Sequence, residues 1–294
     1  DVYKRQEIQK DLDDGIDTIG KKMTVCQLYA KQIRHRGNVR YNTKNGRKRL
    51  MKLLEEDKLG GCPIDSVKLS DAKEWAIRMK EKGISYKTIS NDKRSLKAAF
   101  YTAIQDDCIR KNPFDFQLNT VIEDDTEPKV PLTPAQEESF LSFAQNDKVY
   151  QKYYDELIIL LGTGLRISEL CGLTDTDINF ENRIINVDHQ LLRSAETGYY
   201  IETPKTKSGI RQIPMSEKVY EAFNRVLKRR RGAKAVTIDG YSNFLFLNRD
   251  GYPKTATNYD GMFRGLAKKY NKYHEEALPK VMTPHTLRHT FCTC

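Results

Sequence analysis

The chain has 294 residues, of which 38% are hydrophobic and 31% are charged, and it carries a formal net charge of +10. This length suffices for two domains with separate cores, and this balance favours a soluble globular protein over a disordered tail. No apolar run approaches the roughly 20 residues that span a bilayer, and no signal-peptide pattern opens the sequence, so we expect neither a membrane protein nor a secreted one. The six cysteines lack C-x-x-C spacing, which predicts reduced thiols in the cytoplasm.

The positive charge is concentrated near the start of the chain. Residues 1–20 are polar and acid-rich and predict a linker tail, but the stretch from Lys21 to Leu54 contains 11 basic residues and no acidic one. Such a run is the electrostatic footprint of a protein that binds a polyanion, most simply nucleic acid. An ordinary solvated face is the alternative, and the length of the acid-free run disfavours it.

Apolar residues then recur at helical spacing in four stretches, residues 23–33, 44–54, 70–82 and 85–107. Two of the four predicted helices carry cations and short hydrogen-bonding side chains on the face opposite their apolar stripe. Lysine and arginine neutralise phosphates, while asparagine and arginine can also read base edges. The candidate DNA-binding residues are therefore Lys44, Arg47 and Lys48 on the second helix and Lys87, Thr88, Asn91 and Arg94 on the fourth.

An acidic, proline-containing stretch, residues 116–131, predicts an interdomain linker. A second domain, 132–294, begins with a capping signature at Thr133, Pro134 and Glu137. Helices are predicted to about residue 161, over 259–270 and from Pro284. Strands are predicted over 183–191, 199–203, 210–215 and 244–247. The turn 205–209 is expected to join the second and third strands as a hairpin with two lysines at its tip.

Two helix starts in this domain combine cations in a way that suits an anion. After the turn at residues 162–164, Arg166 is predicted on the first turn of a helix, where its guanidinium adds to the positive potential of the helix N-terminus, and Glu169 can brace it. The final helix, capped by Thr283, places His285, Arg288 and His289 on one face. No acidic cluster of the kind that holds Mg²⁺ accompanies these residues.

Such a set fits phosphoryl transfer without a metal. The arginines would bind non-bridging phosphate oxygens and stabilise the charge that builds up in the transition state. A lysine or histidine would protonate the departing alkoxide, and a covalent route would also need a nucleophile.

Three blocks, GTGLRISEL (162–170), PKTKSGIRQIP (204–214) and HTLRHTF (285–291), resemble the tyrosine recombinases of the phage integrase family. The resemblance is closest to integrases of conjugative transposons and integrative elements. It implies a mainly α fold with a small antiparallel β-sheet. A helical, SAM-like core-binding domain (21–115) would precede a mixed α/β catalytic domain of the DNA breaking-rejoining type (132–294), incomplete at its C-terminus.

The resemblance also implies roles for single residues. Arg166, His285 and Arg288 match the catalytic positions, and Glu169 matches a supporting carboxylate. The general acid would be Lys205, with Lys207 as the alternative. His289 would be a packing residue.

The implied function is a site-specific recombinase that cuts and rejoins double-stranded DNA through a 3′-phosphotyrosyl intermediate, for integration or excision of a mobile element. The two domains would form a C-shaped clamp around the DNA duplex. A tetramer would bring two DNA sites together, and the reaction would require neither a cofactor nor a metal. In this family the nucleophilic tyrosine lies a few dozen residues beyond the His-x-x-Arg block. None of the 16 tyrosines occupies that place, so we expect these 294 residues, as a piece of a longer protein, to bind DNA without cleaving it.

Two alternatives remain. The pair His285 and His289 has the i, i+4 spacing of a zinc site, although the zincin pattern needs glutamate where this chain has Thr286. A non-catalytic regulatory protein that only grips DNA phosphates would share most of these features.

Overall fold

The structure is a computed structural model that describes residues 20–37, 39–128, 130–204, 207–230, 236–275, 277–279 and 281–293. The chain divides into two compact units, residues 1–127 and 128–294. Each unit has its own hydrophobic core.

The first unit contains helices α1 (Val25–His35), α2 (Tyr41–Glu55), α3 (Leu69–Glu81) and α4 (Tyr86–Gln105). Helix α1 begins with a capping box, in which Thr24 Oγ1 accepts from Gln27 N at 3.2 Å and Thr24 N donates to Gln27 Oε1 at 2.8 Å. The core is aromatic at its centre, where Trp75 and Phe114 meet edge to face with ring centroids 5.8 Å apart. Most of the apolar residues that predict these helices are buried, but Ile77 of α3 is 40% exposed.

Two ion pairs with buried carboxylates tie the helices of this unit together. Arg49 of α2 donates to Asp92 of α4 at 2.5 Å. Arg78 of α3 donates through two nitrogens, at 2.8 and 2.7 Å, to Asp57, whose side chain is 4% exposed and also accepts from the backbone N of Leu59. Burial alone would raise the pKa of Asp57, but the hydrogen bonds from Arg78 and Leu59 outweigh it and hold that pKa below its ordinary value.

We expect Asp57→Asn to lower the free energy of unfolding of the first unit by about 3 kcal/mol at pH 7, because it leaves the Arg78 guanidinium without its counter-charge. The folded-state pKa of Asp57 lies below its unfolded value. The carboxylate therefore contributes stability above pH ~4 that is lost as the pH falls through the folded-state pKa. Denaturant unfolding of wild type and variant should converge as the pH is lowered.

The matched control is Asp115→Asn, which breaks an exposed pair with Lys97. Because exposed ion pairs contribute little, this variant should unfold like the wild type. Equal effects of the two substitutions at pH 7 would contradict the importance of the Asp57 pair.

In the described residues of the second unit, six α-helices combine with short strands. The helices are α5 (Pro134–Asn146), α6 (Tyr154–Thr163), α7 (Ile167–Gly172), α8 (Glu217–Arg230), α9 (Ala256–Tyr273) and α10 (Pro284–Thr293). The strands are β1 (Ile178–Asn179), β2 (Ile184–Val187), β3 (Gln190–Ser194), β4 (Gly198–Glu202) and β5 (Arg211–Pro214). Helix α6 is almost wholly buried, and α8 and α10 pack against it. The predicted class, mainly helical with a small antiparallel β component, is confirmed.

Where the structure describes this unit, the strands form two antiparallel sheets, of order β1-β2-β5 and β3-β4. The single strand predicted over 183–191 is therefore wrong: the chain leaves one sheet after Val187 and enters the other at Gln190. The predicted hairpin is also wrong, because β4 pairs with β3 and β5 pairs with β2. Strands β4 and β5 therefore belong to different sheets. The tight turn between Ser194 and Gly198 gives β4 a partner next to it in sequence, so β5 pairs elsewhere.

Two smaller expectations also change. Residues 244–247 do not form the predicted strand; Phe244 and Leu247 make isolated bridges to Thr174 and Pro253. Helix α5 is capped by Thr133 as predicted, but Gln136 closes the capping box, since Pro134 is the first helical residue. Every helix in the described part of the chain is too short or too polar to cross a membrane.

Candidate functional site

Arg166 lies in the short connection between α6 and α7. Helix α6 ends at Thr163 and is capped by Gly164, whose φ of 59° is the left-handed conformation that glycine adopts most readily. A Cβ at Gly164 would also lie 2.3 Å from the ring of Phe291, so glycine is what lets α10 approach this corner. Arg166 is the N-cap of α7, one residue before the first turn on which it was predicted, and its side chain is 47% exposed.

The carboxylate of Glu169 holds Arg166 in place. Glu169 Oε1 accepts from Arg166 Nη1 at 2.7 Å, and Oε2 accepts from the backbone N of Arg166 at 2.8 Å. The Glu169 side chain is 3% exposed. One arm of the guanidinium is thus fixed against a buried carboxylate while the side chain remains half exposed.

A second arginine, Arg211 at the start of β5, shares this carboxylate. Its Nη2 donates to Glu169 Oε2 at 2.7 Å, and its Nη1 donates to Glu169 Oε1 at 3.1 Å. Burial would raise the pKa of Glu169, but the hydrogen bonds from Arg211 and then from Arg166 outweigh it, and the pKa lies below its ordinary value. The sequence reasoning missed Arg211, which reads there as an ordinary strand residue.

Helix α10 brings Arg288 to the same place. Arg288 Nη1 donates to the carbonyl oxygen of Gly164, so it contacts the corner that precedes Arg166. Burial lowers the pKa of Arg288, the positive charges of Arg166 and Arg211 lower it further, and Glu169 opposes them. Three guanidinium groups therefore interact around one carboxylate, an excess of positive charge that a bound anion would offset.

The two histidines of α10 are exposed, whereas Thr286, Leu287 and Thr290 of the same helix are buried. The rings of His285 and His289 are edge to face with centroids 6.0 Å apart. The face predicted from the sequence thus lies away from the core that holds α10.

Among the described residues, one set of three potential metal ligands lies close together, Asp177, Asp188 and His189. Both ring nitrogens of His189 already make hydrogen bonds, with Asp188 Oδ1 at 2.6 Å and with the carbonyl oxygen of Gly172 at 2.7 Å. This histidine fastens the end of α7 to the start of β3. His285 and His289 are not members of any such set among the residues described.

Residues 204–209, which carry Lys205 and Lys207 and are called the lysine segment below, are only partly described. Lys205 lies outside the described residues, and Lys207 begins a single 3₁₀ turn, Lys207–Gly209, with no description of its side chain. The two ends of the segment are pressed together, because a Cβ on Gly209 would lie 2.3 Å from Pro204 Cβ. Glycine is therefore needed at the base of this segment.

The candidate DNA-binding residues of the first unit lie on two helices joined directly by the Arg49–Asp92 pair. Most of these side chains are exposed, and two, Arg47 and Thr88, are half-buried. Thr88 also takes part in the start of α4, where its hydroxyl accepts from Ser85 Oγ at 2.9 Å. The exposed members are Lys44, Lys48, Lys87, Asn91 and Arg94.

Comparison with known proteins agrees with this architecture. The family model described as "Phage integrase family" matches residues 131–294. The chain is 66% identical over 290 residues to the transposase from transposon Tn916 of Enterococcus faecalis, covering 99% of this chain and 71% of the relative. It is 30% identical over 253 residues to tyrosine recombinase XerA of Pyrococcus furiosus, covering 83% of this chain and 70% of the relative.

Solved structures extend the likeness to the fold. The Tn1549 transposon integrase in complex with a circular intermediate DNA is 76% identical, with a TM-score of 0.89, covering 92% of this chain and 86% of that one. A tyrosine-to-phenylalanine variant of that integrase, bound to transposon right end DNA, superposes with a TM-score of 0.88. The chain therefore belongs to the phage integrase family, and the family resemblance drawn from the three sequence blocks is confirmed.

Proposed function

We propose that this chain is the DNA-binding and phosphate-binding part of an integrase that excises and integrates a conjugative transposon by cutting and rejoining double-stranded DNA. The observation that carries the proposal is that Arg166, bound to the buried Glu169 carboxylate, and Arg288 of α10, bound to the Gly164 carbonyl oxygen, meet at the corner between α6 and α7. The integrase complexes with DNA and the transposases at 66% identity support the substrate and the kind of element.

In the proposed reaction Arg166 and Arg288 bind the non-bridging oxygens of the scissile phosphate. Glu169 is already saturated by donors from Arg166 and Arg211, so it fixes one arm of Arg166 and leaves the rest of the guanidinium for the phosphate. The excess positive charge stabilises the doubly charged equatorial oxygens of the transition state, and it needs no reorganisation because the arginines are already placed. His285 assists as a donor on the exposed face of α10.

The covalent step exchanges one phosphodiester bond for another. The oxygen of a tyrosine attacks phosphorus as its hydroxyl proton passes to solvent, the bond to the 5′ oxygen breaks, and Lys205, or alternatively Lys207, gives that oxygen its proton. The 5′-hydroxyl of a partner strand then attacks the phosphotyrosine and reverses the step. Because the bond energy is conserved in the intermediate, the exchange needs no ATP.

We propose that the nucleophile is not among the 16 tyrosines of these residues. Tyr259 is fully buried, and burial, followed by the nearby Glu156 charge, raises its pKa well above the ordinary value. Tyr270 is 2% exposed, with its hydroxyl 2.7 Å from Ser139 Oγ. The 294 residues alone would then bind DNA without cleaving it. The complete protein would act in the cytoplasm, as a tetramer on two synapsed sites.

Excision in vitro tests the proposal. A plasmid carrying both element ends, incubated with full-length protein and no ATP, should yield a free circle and a rejoined backbone. If the protein binds both ends and yields no circle at any concentration, it is a DNA-binding regulator instead.

The affinity of the 294-residue chain for DNA should fall steeply with salt, because each lysine or arginine on a phosphate releases counterions. We expect the double variant Lys87→Ala/Arg94→Ala to reduce the slope of log K against log salt concentration by about 2. Fluorescence anisotropy over a salt series measures this slope. Lys58→Ala removes an exposed lysine from the same unit but outside the two candidate faces, and it should leave the slope unchanged. A slope that is the same in all three proteins would contradict the assignment of α4 to DNA.

A further inference from the structure

Arg211 connects two parts of the site that come from different places in the chain. It stands at the start of β5, two residues after the turn that closes the lysine segment, and its side chain is 25% exposed. Besides its two bonds to Glu169, its Nη1 donates to the carbonyl oxygen of Gly209 at 3.1 Å. One guanidinium therefore holds both a buried carboxylate and the end of the lysine segment.

Arg211 connects two groups of contacts, one through Glu169 and one through Gly209. On one side Glu169 carries the connection to the backbone N and Nη1 of Arg166. On the other side Gly209 packs against Pro204, so fixing Gly209 also fixes the opposite end of the segment that bears Lys205 and Lys207. Among the described residues, the side chain of Arg211 thus links the carboxylate that holds Arg166 to Gly209 at the end of the lysine segment.

We propose that Arg211 is a positioning residue that sets the lysine segment and Arg166 in a fixed relative placement, and this inference rests on the proposed function. Arg211 does not contact the phosphate itself. This positioning uses three N–H donors of one planar guanidinium group, two directed at the Glu169 carboxylate and one at the Gly209 carbonyl oxygen. A lysine has one nitrogen at the end of a flexible chain and cannot bond both carboxylate oxygens and Gly209 in the same geometry.

The test separates placement of the lysine from placement of Arg166. Single-turnover cleavage is measured with full-length protein on two suicide substrates, one ordinary and one with sulfur in place of the bridging 5′ oxygen. The sulfur leaves as a thiolate and needs no proton, so the general acid contributes nothing to that reaction. We expect Arg211→Ala to slow the ordinary substrate by about 100-fold, the scale of an ångström-sized misplacement. The sulfur substrate should be slowed by about tenfold or less.

Two further variants make the result specific. Arg211→Lys keeps the charge and should restore only part of the rate. Arg225→Ala is the matched control, since Arg225 also pairs with a buried carboxylate, Asp155, on other elements of the same unit. It should leave both rates unchanged, and thermal unfolding shows whether either alanine variant is destabilised. If Arg211→Ala does not fold, the comparison of Arg211→Lys with wild type on the two substrates carries the test.

Several results would overturn the inference. Equal slowing on both substrates would show that Arg211 does not place the lysine. A loss of DNA affinity as large as the loss of rate would make Arg211 a phosphate ligand, and full activity of Arg211→Lys would show that the charge alone suffices. Failure of the proposed function would look different, because wild-type protein would then form no covalent product on either substrate.

Discussion

Replacing Arg166 with alanine should lower the rate of strand cleavage by the full-length protein by about 1,000-fold or more. The loss is this large because the substitution removes a charged donor pair that strengthens as charge builds up on phosphorus, which is the kind of interaction worth most in catalysis. Binding of DNA should weaken by far less, since it is spread over many phosphates.

Rapid-quench cleavage of a labelled site, with DNA affinity measured in parallel, separates the two effects. Arg166→Lys should remain severely impaired because an ammonium group cannot bind two oxygens in the geometry of a guanidinium. Arg225→Ala serves as the control for removing an arginine from the same unit. Cleavage by Arg166→Ala at a rate near that of the wild type would remove this residue from the mechanism.

The second large effect concerns the lysine segment, and it decides between the two lysines. If Lys205 is the general acid, Lys205→Ala should slow cleavage of ordinary DNA by about 100- to 10,000-fold, the range of general acid catalysis. The same variant should cleave the substrate with a 5′-bridging sulfur at nearly the wild-type rate.

Lys207→Ala is the natural companion to that experiment. It should show a modest loss on both substrates, as expected for a phosphate contact. The reverse pattern, with rescue by sulfur in Lys207→Ala, would assign the acid to Lys207. Rescue in neither variant would show that the acid is not on this segment.

The sequence allows the family and most helices to be predicted because these depend on local patterns. The stripe of Ile89, Leu96 and Phe100 marks α4, and Thr24 and Thr133 mark helix starts by their own hydrogen bonds. The three blocks are specific enough to define the family. For Arg166, local patterns show only that Glu169 follows it by three residues.

Pairings between distant segments could not be predicted in this way. The strand periodicity of residues 199–203 and 210–215 is the same whether they pair with each other or with separate sheets, and the structure has the second arrangement. Arg211 fits the alternating pattern of polar and apolar residues in a strand. No residue near it in the sequence indicates that it binds the buried carboxylate of Glu169, 42 positions earlier. The wrongly predicted hairpin and the role of Arg211 both depend on where β5 lies.

Trapping the covalent intermediate tests most directly whether a tyrosine and a set of arginines exchange phosphodiester bonds in this protein. Full-length protein is incubated with a nicked suicide substrate in the presence of EDTA, and the products are separated under denaturing conditions. The mechanism predicts a covalent complex joined to the 3′ end of the cleaved strand, with a 5′-hydroxyl released, while the 294-residue chain binds the same DNA without forming the complex. A free 3′-hydroxyl at the cut, a 5′-linked complex, or cleavage that requires added magnesium would contradict it.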